Sequence, residues 1–122
     1  MVVDDNPHFV AAARSLLERE GVTVLGAAAD GAEAVRLTAE LRPDVVLVDI
    51  DLGAESGLDV ARRLARSAGP VPPVILISTY AEEDYADLIA DSPAVGFVPK
   101  AALSAAAIHR LLHGRSGPGR CS

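Results

Sequence analysis

Short runs of β-branched residues alternate along this chain with longer segments in which apolar residues recur every three or four positions. The runs are apolar throughout rather than alternating, which is typical of strands buried on both faces of a parallel sheet. They lie at Val22–Leu25, Val45–Val48, Val74–Ile77 and Val95–Val98. Met1–Val3 has the same character and ends at an aspartate, so it is interpreted as the end of a further strand. The pattern predicts five strands separated by helices.

The segments between these runs carry helix start and stop signals. The first opens with Asn6 and Pro7, a cap residue followed by proline at the first helical position. The second opens with Asp30 and Glu33, which have the spacing of a capping box. Helices are therefore predicted over Pro7–Glu20, Gly31–Leu41, Gly57–Ser67, Glu82–Ala90 and, after a cap at Ser104, up to Gly114.

Strand and helix alternate five times, which predicts a doubly wound α/β domain. A five-stranded parallel sheet of this kind commonly has the strand order 2-1-3-4-5, with helices on both faces in a flavodoxin-like three-layer sandwich. Ligands then bind beyond the carboxyl ends of strands one and three, where the winding reverses. Because 122 residues suit a single core, we expect one domain over residues 1–113 and a flexible tail over 114–122.

Charge and composition exclude several classes of function. The chain has 11 basic and 17 acidic residues, a net charge of −6, which is the wrong sign for direct contact with nucleic acid. Its N-terminal segment is acidic where an export signal is basic, and its apolar runs are shorter than the roughly 20 residues of a membrane helix. A single cysteine, Cys121, forms no disulfide framework. We expect a cytoplasmic protein that contacts neither membrane nor nucleic acid directly.

Polar residues follow four of the predicted strands and should meet at one edge of the sheet. They are Asp4, Asp5, Asp49, Ser78 and Lys100. Each alone is an ordinary turn or cap residue, but three carboxylates in one crevice stay ionised together only beside a cation. Oxygen ligands select a hard ion, for which Mg²⁺ is the natural choice. A carboxylate beside Mg²⁺, with a hydroxyl and an ammonium opposite, suits phosphoryl transfer to an aspartate. Asp49 is the preferred nucleophile because it ends the central strand.

The segments VVDDNP, PDVVLVDIDL, PVILIST and GFVPK, with Gly57 eight residues after Asp49, together resemble the receiver domain of bacterial two-component response regulators. The resemblance covers essentially the whole chain. It implies that Asp49 accepts a phosphoryl group from the phosphohistidine of a sensor histidine kinase or phosphotransfer protein. It also implies Mg²⁺ ligands at Asp4, Asp5, Asp49 and the backbone carbonyl of Asp51, phosphoryl-oxygen donors at Ser78 and Lys100, and switch residues at Ser78 and Phe97.

The resemblance further implies how the signal leaves the domain. Phosphorylation would shift the domain between two conformations in a pathway that regulates transcription, and the fourth helix, fifth strand and fifth helix would form the face for an output partner. A second copy of the chain is a further expected partner. The only implied enzymatic chemistry is Mg²⁺-dependent self-phosphorylation and autodephosphorylation of Asp49. Candidate residues on the output face are Tyr85, Leu88, Arg110 and His113.

Several positions depart from the family pattern. The first strand is short for a central strand, Gly53 stands where the family usually has proline, and Ala101 replaces the proline that often follows the lysine. Glycine at position 53 predicts a more flexible loop, which bears on the lifetime of the phosphate. Asp51 and Tyr80 occupy positions that tune hydrolysis of the acyl phosphate in the family, and Tyr80 would shield it from water.

Two other functions fit parts of the pattern. In a haloacid-dehalogenase-like phosphohydrolase, LVDID would be the nucleophile motif with Asp51 as general acid, and ILIST would be the second motif. That family places its Mg²⁺-binding acidic pair after the lysine, whereas Asp4 and Asp5 precede Lys100. In a phosphorylation-independent docking module the site residues would be lost, but here all five are present. The phosphoacceptor interpretation is therefore favoured over both.

Overall fold

A computed structural model describes residues 1–67, 71–80 and 82–115 of the chain. The strands are β1 (Val2–Val3), β2 (Ala27–Ala28), β3 (Val46–Asp49), β4 (Val74–Ser78) and β5 (Gly96–Pro99). The helices are α1 (Pro7–Arg19), α2 (Gly31–Leu41), α3 (Gly57–Ala65), α4 (Ala86–Ala90) and α5 (Ala105–Arg115). Short 3₁₀ turns occupy Glu82–Asp84 and Lys100–Ala102.

All strand pairings are parallel, and the sheet has the order β2-β1-β3-β4-β5, so the predicted topology is confirmed. Although β1 has only two residues, it is a central strand. Val2 pairs with Ala27 on one side and with Leu47 on the other. The winding reverses between β1 and β3, which places the expected crevice at their carboxyl ends.

Neighbouring residues of the buried strands point to opposite faces of the sheet and enter two separate apolar clusters. Val48 and Leu76 belong to a cluster completed by α2 and α3. Leu47 and Ile75 belong to a cluster completed by α1 and α5. Apolar burial on both faces explains why these strands are apolar throughout, and it produces the predicted three layers.

Side chains cap the helices where the sequence predicted caps. The Asn6 side chain accepts hydrogen bonds from two backbone N–H groups at the start of α1. The Asp30 carboxylate accepts from the Glu33 N–H at 2.8 Å, and the Ser104 hydroxyl accepts from the Ala107 N–H at 3.0 Å. Because each bond spans only two or three residues, short-range sequence is sufficient to locate these helix starts.

The predicted strand at Val22–Leu25 is wrong, because the second strand lies at Ala27–Ala28. The Val22 N–H closes the end of α1 by donating to the Leu17 carbonyl at 2.9 Å. Pairing with β1 begins only at Gly26, whose carbonyl accepts from the Val2 N–H at 3.2 Å. The location of this edge strand is therefore set by β1 rather than by its own apolar residues.

The predicted fourth helix over Glu82–Ala90 is also wrong in extent. The segment contains a 3₁₀ turn and then the five-residue helix α4. Tyr85 precedes α4 without making a side-chain capping bond, and α4 buries none of its residues, so neither a cap nor a broad apolar face extends the helix. Helix α3 ends at Ala65, two residues before the predicted Ser67.

At the C-terminus, α5 continues to Arg115, one residue past the predicted end at Gly114. Residues 116–122 of the predicted tail lie outside the described residues. Within the described ranges, the helices are too short and too polar to cross a membrane.

The end of α2 carries local backbone strain that predicts opposite effects for two arginine substitutions. Arg42 has a φ of 49°, in the left-handed region, whereas Arg36 lies in the middle of the same helix. Arg42→Gly is expected to raise the free energy of unfolding by up to about 1 kcal/mol, because glycine relieves the left-handed strain. Arg36→Gly should lower it by about 1 kcal/mol. Urea unfolding measures both, and changes of the same sign would contradict this account.

Candidate functional site

The five polar residues predicted to converge lie at the same edge of the sheet. Asp4 directly follows β1, Asp49 and Ser78 are the last residues of β3 and β4, and Lys100 directly follows β5. Asp5, next to Asp4, is exposed. The strands bring these side chains together because the carboxyl ends of parallel strands share one edge.

Three carboxylates form the acidic part of the site. One oxygen from each of Asp4, Asp5 and Asp49 lies within 4.8 Å of the other two. Backbone N–H groups orient the two buried carboxylates: Asp4 Oδ1 accepts from Asn6 N at 2.8 Å, and Asp49 Oδ1 accepts from Asp51 N at 3.1 Å. Each buried carboxylate therefore keeps its second oxygen for other partners.

Lys100 supplies a positive charge to this cluster. Its Nζ lies 2.7 Å from Asp4 Oδ2 and 3.1 Å from Asp49 Oδ2, with 12% of the side chain exposed. The contact with Asp49 is an aligned hydrogen bond, whereas the shorter contact with Asp4 is an ion pair without hydrogen-bond alignment. The same Nζ lies 4.3 Å from the centre of the Phe9 ring on α1.

Burial and mutual repulsion set the ionisation of the site. The pKa of Asp49 is raised, first by burial and also by the Asp4 charge, against the lowering effects of Lys100 and the Asp51 N–H. For Lys100, burial acts to lower the pKa, but the two aspartates outweigh it and the net pKa is raised. Lys100 therefore stays a cation, and one ammonium faces three carboxylates. This oxygen-rich set with excess negative charge fits a hard divalent cation such as Mg²⁺.

The two residues predicted to act as a switch, Ser78 and Phe97, are both buried. Ser78 is fully buried at the end of β4, and its Oγ accepts from the Tyr80 N–H at 3.1 Å. The Phe97 ring is buried in the cluster shared with α2 and α3, against which Tyr85 and Ile89 also pack. The inward position of Phe97 is that of a core aromatic, and its movement during signalling stays a prediction.

Tyr80 lies on the surface next to the site, with 58% of the residue exposed. Its ring packs edge-on against the Tyr85 ring, with 6.4 Å between the centroids. Tyr80 is thus held by an aromatic neighbour at the rim of the site, and its predicted shielding of the acyl phosphate stays a prediction.

The loop between β3 and α3 requires glycine at position 53. Gly53 has a φ of 76°, which is inaccessible to proline, so the family's usual proline does not fit this loop conformation. A Cβ atom here would also come within 3.0 Å of Asp5 Oδ2. The Gly53 N–H donates to Asp51 Oδ1 at 3.1 Å, which closes a tight turn beside the carboxylates.

A residue that sequence reasoning missed, Glu55, anchors this loop to its surroundings. Its Oε2 accepts from the Gly31 N–H at the start of α2, at 3.2 Å, and its Oε1 lies 3.9 Å from Arg63 Nη1 on α3. A glutamate at a helix N-terminus also interacts favourably with the helix dipole. These contacts connect the loop to two helices, and the flexibility predicted from Gly53 stays a prediction. In the sequence Glu55 is indistinguishable from an ordinary surface glutamate, so no sequence pattern indicated its contacts with α2 and α3.

Gly57, the first residue of α3, allows close contact between that helix and the site. A Cβ atom at this position would overlap the backbone carbonyl of Asp49. The Gly57 N–H donates to the Ile50 carbonyl at 2.7 Å. This close approach explains physically why the motif has glycine eight residues after Asp49.

Comparisons with known proteins agree with this geometry. The model of the response regulator receiver domain family matches residues 1–112. The DNA-binding transcriptional activator EvgA of Escherichia coli is 32% identical over 100 residues, which cover 82% of this chain and 48% of EvgA. The chain spans between a quarter and a half of the length of the first curated relatives it matches.

Solved structures agree as well. The receiver domain of the putative response regulator NarL from Mycobacterium tuberculosis has a TM-score of 0.78 and 32% identity, covering 95% of this chain and 94% of that one. A Burkholderia pseudomallei response regulator, solved with a phosphorylated aspartic acid, a calcium ion and citrate, has a TM-score of 0.79 and 26% identity. That match covers 94% of this chain and 66% of the other.

Glycines at the first position of two helices predict different costs for the same substitution. Gly57→Ala is expected to lower the free energy of unfolding by about 3 kcal/mol, because the new methyl group meets the Asp49 backbone. At Gly31 the two nearest atoms are the ends of the Glu55 and Arg63 side chains, which can move, and the third, Val60 Cγ2, lies at 3.0 Å. Gly31→Ala should therefore cost less than Gly57→Ala, about 1 kcal/mol. Equal losses in chemical denaturation would show that the close approach to Asp49 is not the cause.

Proposed function

Since this chain belongs to the response regulator receiver domain family, we propose that its Asp49 carboxylate accepts a phosphoryl group and that this modification shifts the domain between two signalling states. The observation that carries the proposal is the pairing of a buried carboxylate at the end of β3 with the Lys100 ammonium and two further aspartates. The phosphorylated aspartic acid and calcium ion in the similar Burkholderia pseudomallei structure support the same assignment.

The transfer step uses Asp49 as the nucleophile. One of its carboxylate oxygens attacks the phosphorus of a donor phosphohistidine, the O–P bond forms and the P–N bond breaks, and the histidine leaves. The Asp51 N–H, which donates to Asp49 Oδ1, holds the carboxylate in a fixed orientation. Lys100 already lies 3.1 Å from Asp49 Oδ2, where it is placed to stabilise negative charge on the phosphoryl oxygens.

Asp4, Asp5, Asp49 and the backbone carbonyl of Asp51 would hold Mg²⁺. When bound, this ion would offset the charge of the carboxylates and of the transferring phosphoryl group. Gly53 leaves space beside the Asp5 carboxylate, and Glu55 fixes the loop that contains Asp51. The chain's own residues therefore pre-arrange the oxygen ligands before phosphorylation.

Signalling then depends on contacts that differ between the two states. After phosphorylation, the Ser78 hydroxyl would donate to a phosphoryl oxygen and give up its present bond from the Tyr80 N–H. Movement of this turn would be coupled to a movement of the Phe97 ring, which is buried in the present state. The surface of α4, β5 and α5 would carry the change to an output partner or a second copy of the chain, with Leu88 as an exposed apolar contact on α4.

We place this exchange in the cytoplasm, with a sensor histidine kinase or phosphotransfer protein as the donor. The chemistry of the chain would be limited to its own phosphorylation and dephosphorylation at Asp49. The match to the DNA-binding regulator EvgA supports a role in transcription regulation. The negative charge of this chain means that DNA contact would belong to a partner or to another domain.

Incubation with acetyl phosphate should add one phosphoryl group to the protein only when Mg²⁺ and Asp49 are both present. Asp49→Ala removes the nucleophile and chelator removes the cation, so either change should abolish the adduct in intact-mass measurements. Asp59→Ala, which removes an exposed carboxylate on α3, is the matched control and should be phosphorylated normally.

The other outcomes of this experiment contradict the proposal in different ways. Absence of both an adduct and Mg²⁺ binding would favour the docking module. If phosphate is released steadily and the release persists in Asp49→Ala, Asp49 is not the acceptor. An adduct on Asp49→Ala at the same rate would place the acceptor elsewhere in the chain.

Mg²⁺ should stabilise the folded protein, because it binds carboxylates that repel one another only in the native state. At about ten times its dissociation constant, the ion should add about 1.4 kcal/mol to the free energy of unfolding. Asp5→Asn should remove most of this gain, whereas Asp44→Asn, at the opposite end of the sheet, should keep it. Thermal unfolding with and without Mg²⁺ measures the difference, and an unchanged gain in Asp5→Asn would exclude Asp5 as a ligand.

A further inference from the structure

The ammonium of Lys100 has a third neighbour that the phosphoryl-transfer chemistry does not explain. Besides Asp4 and Asp49, the Phe9 ring lies against it, with Nζ 4.3 Å from the ring centre. This distance is within the range of a cation–π interaction, in which the negative face of the ring attracts the cation. Since 12% of the Lys100 side chain is exposed, the ring covers a cation that is largely shielded from water.

The position of Phe9 is fixed independently of Lys100. Phe9 lies in the first turn of α1, where its N–H donates to the Asn6 cap at 3.3 Å. Its side chain packs at the edge of the cluster that contains Ala13 and Leu17, the next residues on the same helix stripe. The adjacent Asn6 N–H also donates to Asp4. The cap of α1 therefore places the aromatic ring and a carboxylate on the same ammonium.

We propose that Phe9 is a positioning residue, which holds the Lys100 ammonium at the phosphoryl site through the face of its ring. A lysine side chain has four rotatable carbon–carbon bonds and loses much conformational freedom when its end is fixed. Two carboxylates attract Nζ, and the face of the Phe9 ring attracts it as well. Lys100 is thereby fixed before a phosphoryl group arrives, which reduces the reorganisation needed in the transition state.

The chain contains one lysine, which gives a direct spectroscopic test. Protein labelled with ¹³C-lysine yields a single ε-methylene signal, and a proton above an aromatic face is shifted upfield by the ring current. We expect an upfield signal in the wild type, a signal near the unshifted position in Phe9→Leu, and an upfield signal again in Phe9→Tyr. The measurement is made without a phosphodonor, so it tests the inference even if Asp49 accepts no phosphate.

The kinetic test rests on the proposed function and measures the rate of Asp49 phosphorylation by acetyl phosphate. Phe9→Leu should lower the rate constant about three-fold to ten-fold, and Phe9→Tyr should restore it. Phenylalanine analogues with increasing fluorination at position 9 keep the ring but weaken its negative face, so the rate should fall with each added fluorine. Leu17→Val, about 12 Å further along α1, loses packing in the same apolar cluster and should leave the Lys100 signal unchanged.

Two results would overturn the inference. If the Lys100 signal is the same in Phe9→Leu as in the wild type, the ring does not lie on the ammonium in solution. If Phe9→Leu is slow but fluorination leaves the rate unchanged, Phe9 acts through apolar packing alone. A wild-type protein that is never phosphorylated would instead contradict the proposed function, while the spectroscopic test of Phe9 would remain decisive.

Discussion

The attraction between one largely shielded ammonium and two buried carboxylates connects the ends of three strands of this domain. Lys100 joins the end of β5 to the ends of β1 and β3 through Asp4 and Asp49. Without Lys100, the carboxylates at the ends of β1 and β3 would repel each other, because two neighbouring carboxylates in a buried site disfavour each other's charge. Lys100 reduces this repulsion, and the remaining excess of negative charge fits a divalent cation.

Backbone groups around the site hydrogen-bond to the negatively charged carboxylates. The Asn6 and Asp51 N–H groups each donate to one of the buried carboxylates, and the close approach of α3 to the Asp49 carbonyl requires Gly57. The loop after β3 uses Gly53 where proline is usual in the family, and Glu55 connects that loop to α2 and α3. Glycine at position 53 is thus combined with contacts of Glu55 to α2 and α3 in the same loop.

The helix starts, the strand order and the convergence of the polar residues were predictable because each depends on short-range sequence or on strand direction. Caps at Asn6 and Asp30 depend on hydrogen bonds that span two or three residues, so the local sequence contains the information. The strand order follows from the alternation of strands and helices, because parallel strands need crossover connections. The polar residues at the ends of four strands then share an edge, and their convergence needs no further knowledge of packing.

Tertiary structure alone decided the features that depend on distant partners. The position of β2 is set by pairing with β1 rather than by the apolar run at Val22–Leu25, and α4 is short because it buries none of its residues. Glu55 and Phe9 contact Gly31 and Lys100, respectively, which are distant from them in the sequence. The fold class and the convergence of polar residues at the strand ends could be predicted from the sequence, since both follow from short-range pattern and strand direction. Only the folded chain determined which neighbours hold that chemistry in place, because those contacts join residues far apart in sequence.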